Sequence, residues 1–190
     1  MREMVLTEEQ IYSACERIGD RITEDLKNDE RIPILIGVMK GGVPFMMDLI
    51  KYINIPIMMD FIQVSSYSGT SRSREIKLVK DLTYDIEGRT IILVDDVVDS
   101  GHSLLYLVNH IYEHYKPKKI LTCALFDKVN AREADIKVDY CGKILNENKF
   151  LCGYGLDYYE VYRNVPYVFV PDTEELGEIE NYLRFKKEKF

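Results

Sequence analysis

The 190-residue chain is 46% apolar and 30% charged, with a net charge of −7, the balance of a globular protein able to bury one substantial core. No apolar run reaches the roughly 18 residues a membrane helix needs. Acidic residues among the first ten occupy the place of a signal peptide's apolar segment, so a single cytoplasmic domain over residues 1–190 with no membrane partner is expected. With no long basic stripe before the C-terminal Arg184–Phe190 stretch, nucleic acid is disfavoured as a main partner, because phosphate neutralisation needs clustered Lys and Arg.

Thr7-Glu8-Glu9-Gln10 is a capping-box pattern, opening a helix whose apolar face is Ile11, Cys15, Ile18, Ile22 and Leu26. Pro33–Met39 is nearly all apolar and reads as a strand buried on both faces. Lys40-Gly41-Gly42 follows, and then a helix over Val43–Tyr52. A second strand is expected over Ile55–Ser65, a mobile polar loop over Ser65–Ser73, and a short strand over Ile76–Val79. Arg89–Val94 is another buried strand. Ser103–Tyr115 has helical spacing and is stopped by Pro117, and Lys119–Phe126 is the next strand. Strands alternating with helices predict an α/β fold: a twisted, mainly parallel sheet flanked by helices. Cys15, Cys123, Cys141 and Cys152 show no CxxC spacing and read as reduced, buried thiols with no catalytic His partner. His110 and His114 read as a surface pair, since no third metal ligand accompanies them. The last Lys-rich turns read as a solvated helix face.

The chemistry concentrates in Ile91–Ser103. A buried strand delivers Asp95 and Asp96 at its C-terminal end, where open α/β sheets place ligands. Asp99-Ser100-Gly101-His102-Ser103 then turns into a helix. Its amides, its two serine hydroxyls and a glycine without Cβ form a phosphate cradle. Carboxylates beside a phosphate need sugar hydroxyls or a divalent cation between them, which fits a phosphorylated sugar. The plainer alternative is a solvated acidic pair with Asp99 or Ser100 capping a helix. It leaves the apolar strand and the Ser-Gly-x-Ser turn unexplained.

This stretch resembles the phosphoribosyl pyrophosphate motif of type I phosphoribosyltransferases, with Asp-Asp where Glu-Asp is more usual. The resemblance implies that fold, with a small hood formed mainly by the C-terminal part. It assigns Asp95 and Asp96 to the ribose hydroxyls near one magnesium ion, and Asp99, Ser100, Gly101, His102 and Ser103 to the 5′-phosphate. His102, at the variable position, is expected to point outward.

Three further segments resemble hypoxanthine-guanine phosphoribosyltransferases. Val38–Gly42 is similar to their pyrophosphate loop, which implies pyrophosphate contacts from Lys40 and Gly41 and a cis Met39–Lys40 peptide. Phe126-Asp127-Lys128 ends a strand, and Arg132 follows. An ammonium at Lys128 can donate to a purine O6 but has nothing to accept from an amino group. Lys149–Arg163 resembles the C-terminal signature. That likeness implies stacking by Phe150, ring-edge contacts from Leu151, a base-side role and the second magnesium for Asp157, and pyrophosphate contact by Arg163. Ser66-Tyr67 is similar to the pair on a closing lid.

The implied partners are phosphoribosyl pyrophosphate, a 6-oxopurine and pyrophosphate, with Mg2+ as cofactor. A homodimer or homotetramer is expected, with Asp99 the candidate for the purine N7 proton. Two alternatives stay open. One is a xanthine-preferring enzyme. The other is a nucleotide-sensing RNA-binding regulator on the same fold, which should be basic and could lose Lys128 and the Phe150–Arg163 signature.

Overall fold

The computed structural model describes residues 2–67 and 75–187. Strand β1 (Glu3–Leu6) precedes helix α1 (Glu8–Leu26), strand β2 (Ile34–Met39) and helix α2 (Gly42–Leu49). Strands β3 (Met58–Tyr67), β4 (Glu75–Lys80) and β5 (Thr90–Val98) follow, then helix α3 (His102–Tyr115) and strand β6 (Lys119–Asp127). The chain ends with β7 (Tyr140–Ile144), β8 (Val168–Val170) and α4 (Thr173–Lys187).

Six strands form one sheet in the order β4-β3-β2-β5-β6-β7. Every pairing in it is parallel except β3 with β4, which is the expected α/β architecture. Successive residues of β5 face opposite layers. Ile92 and Val94 pack with Ile11, Ile18 and Ile22 of α1 and with Phe45 and Leu49 of α2. Ile91 and Leu93 pack with Leu104, Leu107 and Ile111 of α3. This period of two between two buried layers is why β5 reads as a continuous apolar run. The capping box is formed: Thr7 Oγ1 accepts from Gln10 N at 3.3 Å, and Gln10 Oε1 accepts from Thr7 N at 2.9 Å.

Some expectations are corrected. Residues 65–67 belong to β3 and are not loop. The antiparallel partner β4 supplies a backbone ladder down to Tyr67↔Glu75. Because β2 ends at Met39, opposite Gln63, the β3–β4 arm extends roughly 13 Å past its neighbour, at the sheet end where Asp95 and Asp96 lie. Residues 68–73, the rest of the expected loop, fall outside the described residues. So do the side chains of Ser66 and Tyr67 and those beyond Arg184, where the solvated helix face was expected.

The hood was expected to be mainly C-terminal, and there β8 pairs with the N-terminal β1. Arg2 fastens it, lying over the Phe169 ring at 4.2 Å while Nε donates to Glu175 at 2.7 Å. His110 is also no surface residue. The end of α3 lies against the residue following β4, so His110 Nε2 meets Asp81 Oδ2 at 2.9 Å with only 12% of its side chain exposed. The four cysteines are free; Cys15, Cys123 and Cys152 are buried and Cys141 partly so. Burial pushes the Cys15 thiol up to about 12 and Cys152 to about 11, which disfavours thiolate chemistry at either.

Candidate active site at the acidic end of β5

Strand β2 pairs with β5 only as far as Gly37↔Val94. Past that point β5 continues beside β6 alone, through Asp95↔Ala124 to Val98↔Asp127. The space that β2 vacates is filled by the Met39–Gly42 turn, whose Met39–Lys40 peptide is cis, as expected. Contact there is close. A Cβ on Gly41 would lie 1.8 Å from Asp96 Oδ2, and one on Gly42 would lie 2.6 Å from Val94 O. On its other side Gly41 O approaches Gly155, where a Cβ would come within 2.3 Å. Three segments far apart in sequence therefore meet at Gly41, and only glycine fits there.

Asp95 and Asp96 are half-buried neighbours. One oxygen of each accepts the amide of the following residue, at 2.9 Å for Asp96 N and 2.8 Å for Val97 N. Burial, and then the charge of Asp96, push the Asp95 carboxyl well above the ordinary carboxylate range, and burial raises Asp96 as well. Such a pair gains from a cation or from hydroxyl donors. The donors are all hard oxygens, which suits Mg2+. Among the described residues no three metal-ligating side chains cluster, so Asp95, Asp96 and Asp157 do not form one ligand set. An octahedral Mg2+ that keeps most of its waters needs only one or two carboxylates.

The turn after β5 has the open helix start expected of an anion site. Gly101 has φ +85° at the start of α3, and no side chain caps that helix. Its first amides thus have no side-chain cap, and neither Asp99 nor Ser100 takes the capping role. The turn is clamped from below by the loop after β6. Ser100 O accepts the amides of Glu133 and Ala134 at 3.0 and 2.9 Å. Arg132 donates to Asp99 O at 3.1 Å, Val98 O at 3.3 Å and Ile136 O at 2.8 Å, and it ion-pairs with Asp127. Ser103 lies in the first turn of α3. The His102 ring points away, its Nε2 lying 2.9 Å from Glu133 Oε2, so its backbone is what the turn presents. The clamp is what sequence reasoning missed. Arg132 was singled out, but which carbonyls it serves depends on folding.

Of the residues expected to meet a base, Lys128 lies beside this turn. Lys128 is 6% exposed, and its Nζ donates to Asp99 Oδ2 at 3.0 Å. Phe150 is 51% exposed and meets Tyr158 edge-on at 5.7 Å between centroids, while Leu151 is buried. Arg163 is anchored by Nη1 to Gly155 O at 2.6 Å and by Nη2 to Asp157 Oδ1 at 2.7 Å. Lys40 reaches this loop too, with Nζ 2.9 Å from Glu160 Oε2. Glu160 lay inside the signature read from sequence but carried no assigned role.

Comparison with known proteins agrees with this geometry. The phosphoribosyl transferase domain family matches residues 1–159. Hypoxanthine-guanine phosphoribosyltransferase of Bacillus subtilis is 42% identical over 171 residues, 90% of this chain and 93% of the relative. The enzyme of the same name from Streptococcus pyogenes is 43% identical over 176 residues, 92% and 95% of the two chains. A solved hypoxanthine phosphoribosyltransferase from Staphylococcus aureus superposes with TM-score 0.82 at 36% identity, covering 90% of this chain and 92% of that one. One from Trypanosoma cruzi gives 0.86 at 33% identity, covering 94% and 95%. With its motifs gathered at one sheet end and relatives aligned over nine-tenths of its length, the chain belongs to the phosphoribosyltransferase family, among the hypoxanthine-guanine phosphoribosyltransferases.

Proposed function

We propose that this chain, acting as one catalytic domain, transfers the phosphoribosyl group of phosphoribosyl pyrophosphate to hypoxanthine, and also to guanine, giving the nucleotide and pyrophosphate. The observation that carries the choice of base is the 3.0 Å contact of Lys128 Nζ with Asp99 Oδ2. A 6-oxopurine presents an acceptor, O6, beside the N7 proton on one edge. Lys128 answers the first and Asp99 the second. Adenine would set an amino group against an ammonium, which leaves a buried donor unpaired.

Donor recognition follows from the strand end. Asp95 and Asp96 take the ribose hydroxyls, and the amides of Ser100–Ser103 with the N-terminus of α3 take the 5′-phosphate. Phe150 stacks on the base and Leu151 reads its edge. A purine ring nitrogen attacks C1 of the ribose as the bond to pyrophosphate breaks, and Asp99 accepts or hydrogen-bonds the N7 proton. Lys40 and Arg163 carry the charge that develops on the leaving pyrophosphate. Magnesium would supply Lewis acidity at the pyrophosphate oxygens; Asp95 and Asp96 would hold one ion and Asp157 a second. Ser66 and Tyr67, at the tip of the β3 arm, belong to a lid that excludes water. The four free cysteines fit a cytoplasmic enzyme, and a homodimer or homotetramer is the assembly the resemblance implies.

Steady-state comparison of hypoxanthine, guanine, xanthine and adenine with the same donor tests the proposal. Turnover with hypoxanthine and guanine is expected. Preference for xanthine would place the chain in the neighbouring specificity class. Inactivity with all four would overturn transfer and favour a nucleotide-sensing regulator.

A further inference from the structure

Lys40 and Arg163 come from opposite ends of the sequence, and the preceding section gives both to pyrophosphate. In the structure neither is free. One carboxylate occupies both: Glu160 Oε2 lies 2.9 Å from Lys40 Nζ and 3.3 Å from Arg163 Nε. Those two cations hold the Glu160 carboxyl below its usual range. Its backbone amide donates to Asp157 Oδ2 at 2.9 Å, and Asp157 itself pairs with Arg163 at 2.7 Å. The Glu160 side chain is 62% exposed, so it can swing into solvent without uncovering any core.

We propose that Glu160 is an internal counter-anion for the pyrophosphate subsite, holding the place of a pyrophosphate oxygen between Lys40 and Arg163 and competing with it. The inference rests on the pyrophosphate assignment above and deepens it. A diphosphate oxygen would satisfy the same two cations with more charge, so binding exchanges one ion pair for another. The exchange lowers the affinity for free pyrophosphate, which aids its release as product. It also keeps the two cations from repelling each other across the Gly41–Gly155 contact while no ligand is bound. Glu160 is thus a positioning and affinity-setting residue and does not itself take part in bond making.

Removing the charge should tighten pyrophosphate binding, the reverse of what loss of a structural brace would do. In the Glu160→Gln variant, the dissociation constant for pyrophosphate in the presence of magnesium, measured by calorimetry, should fall on the order of three- to tenfold, the scale of exposed ion pairs. Product inhibition against the donor should strengthen by the same factor, while KM for hypoxanthine changes little. Glu160→Asp, too short to span both cations, should lie between wild type and Gln. A thermal melt of each variant reports folding separately. Unchanged or weaker pyrophosphate binding in a folded Glu160→Gln protein overturns the inference. Failure of the wild type to transfer a phosphoribosyl group would instead overturn the function it rests on, and the wild-type assay shows that separately.

Discussion

The turn at Val98–Ser103 and the loop at Gly153–Arg163 differ in what engages the cationic side chains beside them. Amide and guanidinium donors on backbone carbonyls fix the turn, with Arg132 serving Val98, Asp99 and Ile136. The loop has backbone bonds of its own, Tyr154 N to Val165 O at 2.7 Å and Gly155 N to Arg163 O at 3.0 Å, but its cations are engaged by carboxylates: Lys40 by Glu160, and Arg163 by Asp157 and Glu160. Its backbone also carries left-handed non-glycine residues, Tyr154, Tyr159, Glu160 and Tyr162, a conformation that side chains disfavour. On the proposed assignments the turn would meet a phosphate without rearranging, whereas the loop would give up its own ion pairs to take pyrophosphate.

Substitutions can break that contrast. The largest effect is expected at Asp99, which the proposed function sets against the base. Asp99→Asn should lower kcat by about 10²–10⁴-fold with little change in donor KM, measured at saturating hypoxanthine. Equal losses in both would leave Asp99 a binding role only. Arg132→Met tests the clamp. It removes the ion partner of Asp127, whose side chain is 13% exposed, and should cost about 3–5 kcal/mol. In thermal unfolding that appears as a drop of roughly 6–20 °C, with weaker donor binding. An unchanged melting temperature would refute the clamp.

The smallest effect is at Asp95. Its carboxyl is raised in the folded protein by burial and by Asp96. Between the ordinary carboxylate value and that raised one, the native state binds more protons than the unfolded state. Stability is thus greatest at the acid side and is lost as pH rises through the folded value. Asp95→Asn should flatten this decline and raise the melting temperature at neutral pH by about 2–4 °C in the absence of divalent cations, for roughly 1 kcal/mol. A lower melting temperature would show that the acidic pair is not under strain.

The contrast also marks what the sequence could show. The turn was legible because its parts are contiguous: a buried strand, two carboxylates and a glycine turn lie within Ile91–Ser103. The parallel sheet was legible from its long apolar runs. Strands β1, β7 and β8 were not, because they are short and owe their existence to partners, as Val168–Val170 does to Glu3–Leu6. At Ser65–Tyr67 polar composition suggested loop, and an antiparallel neighbour made strand. Lys128 was legible as a donor, but its contact with Asp99 spans 29 residues and needed the fold. Glu160 gave no signal, since its meaning lies in reaching Lys40, 120 residues away.

The central claim is that Lys128 and Asp99 together read the O6 and N7 edge of an oxopurine. The most direct test is the ratio of kcat/KM for hypoxanthine to that for adenine, in the wild type and in Lys128→Gln. The account predicts a wild-type ratio on the order of 10⁴. In the variant it should collapse by at least about tenfold, because an amide can also accept from an amino group, while donor KM is unchanged. A ratio that survives the substitution would contradict the assignment of Lys128 to the base.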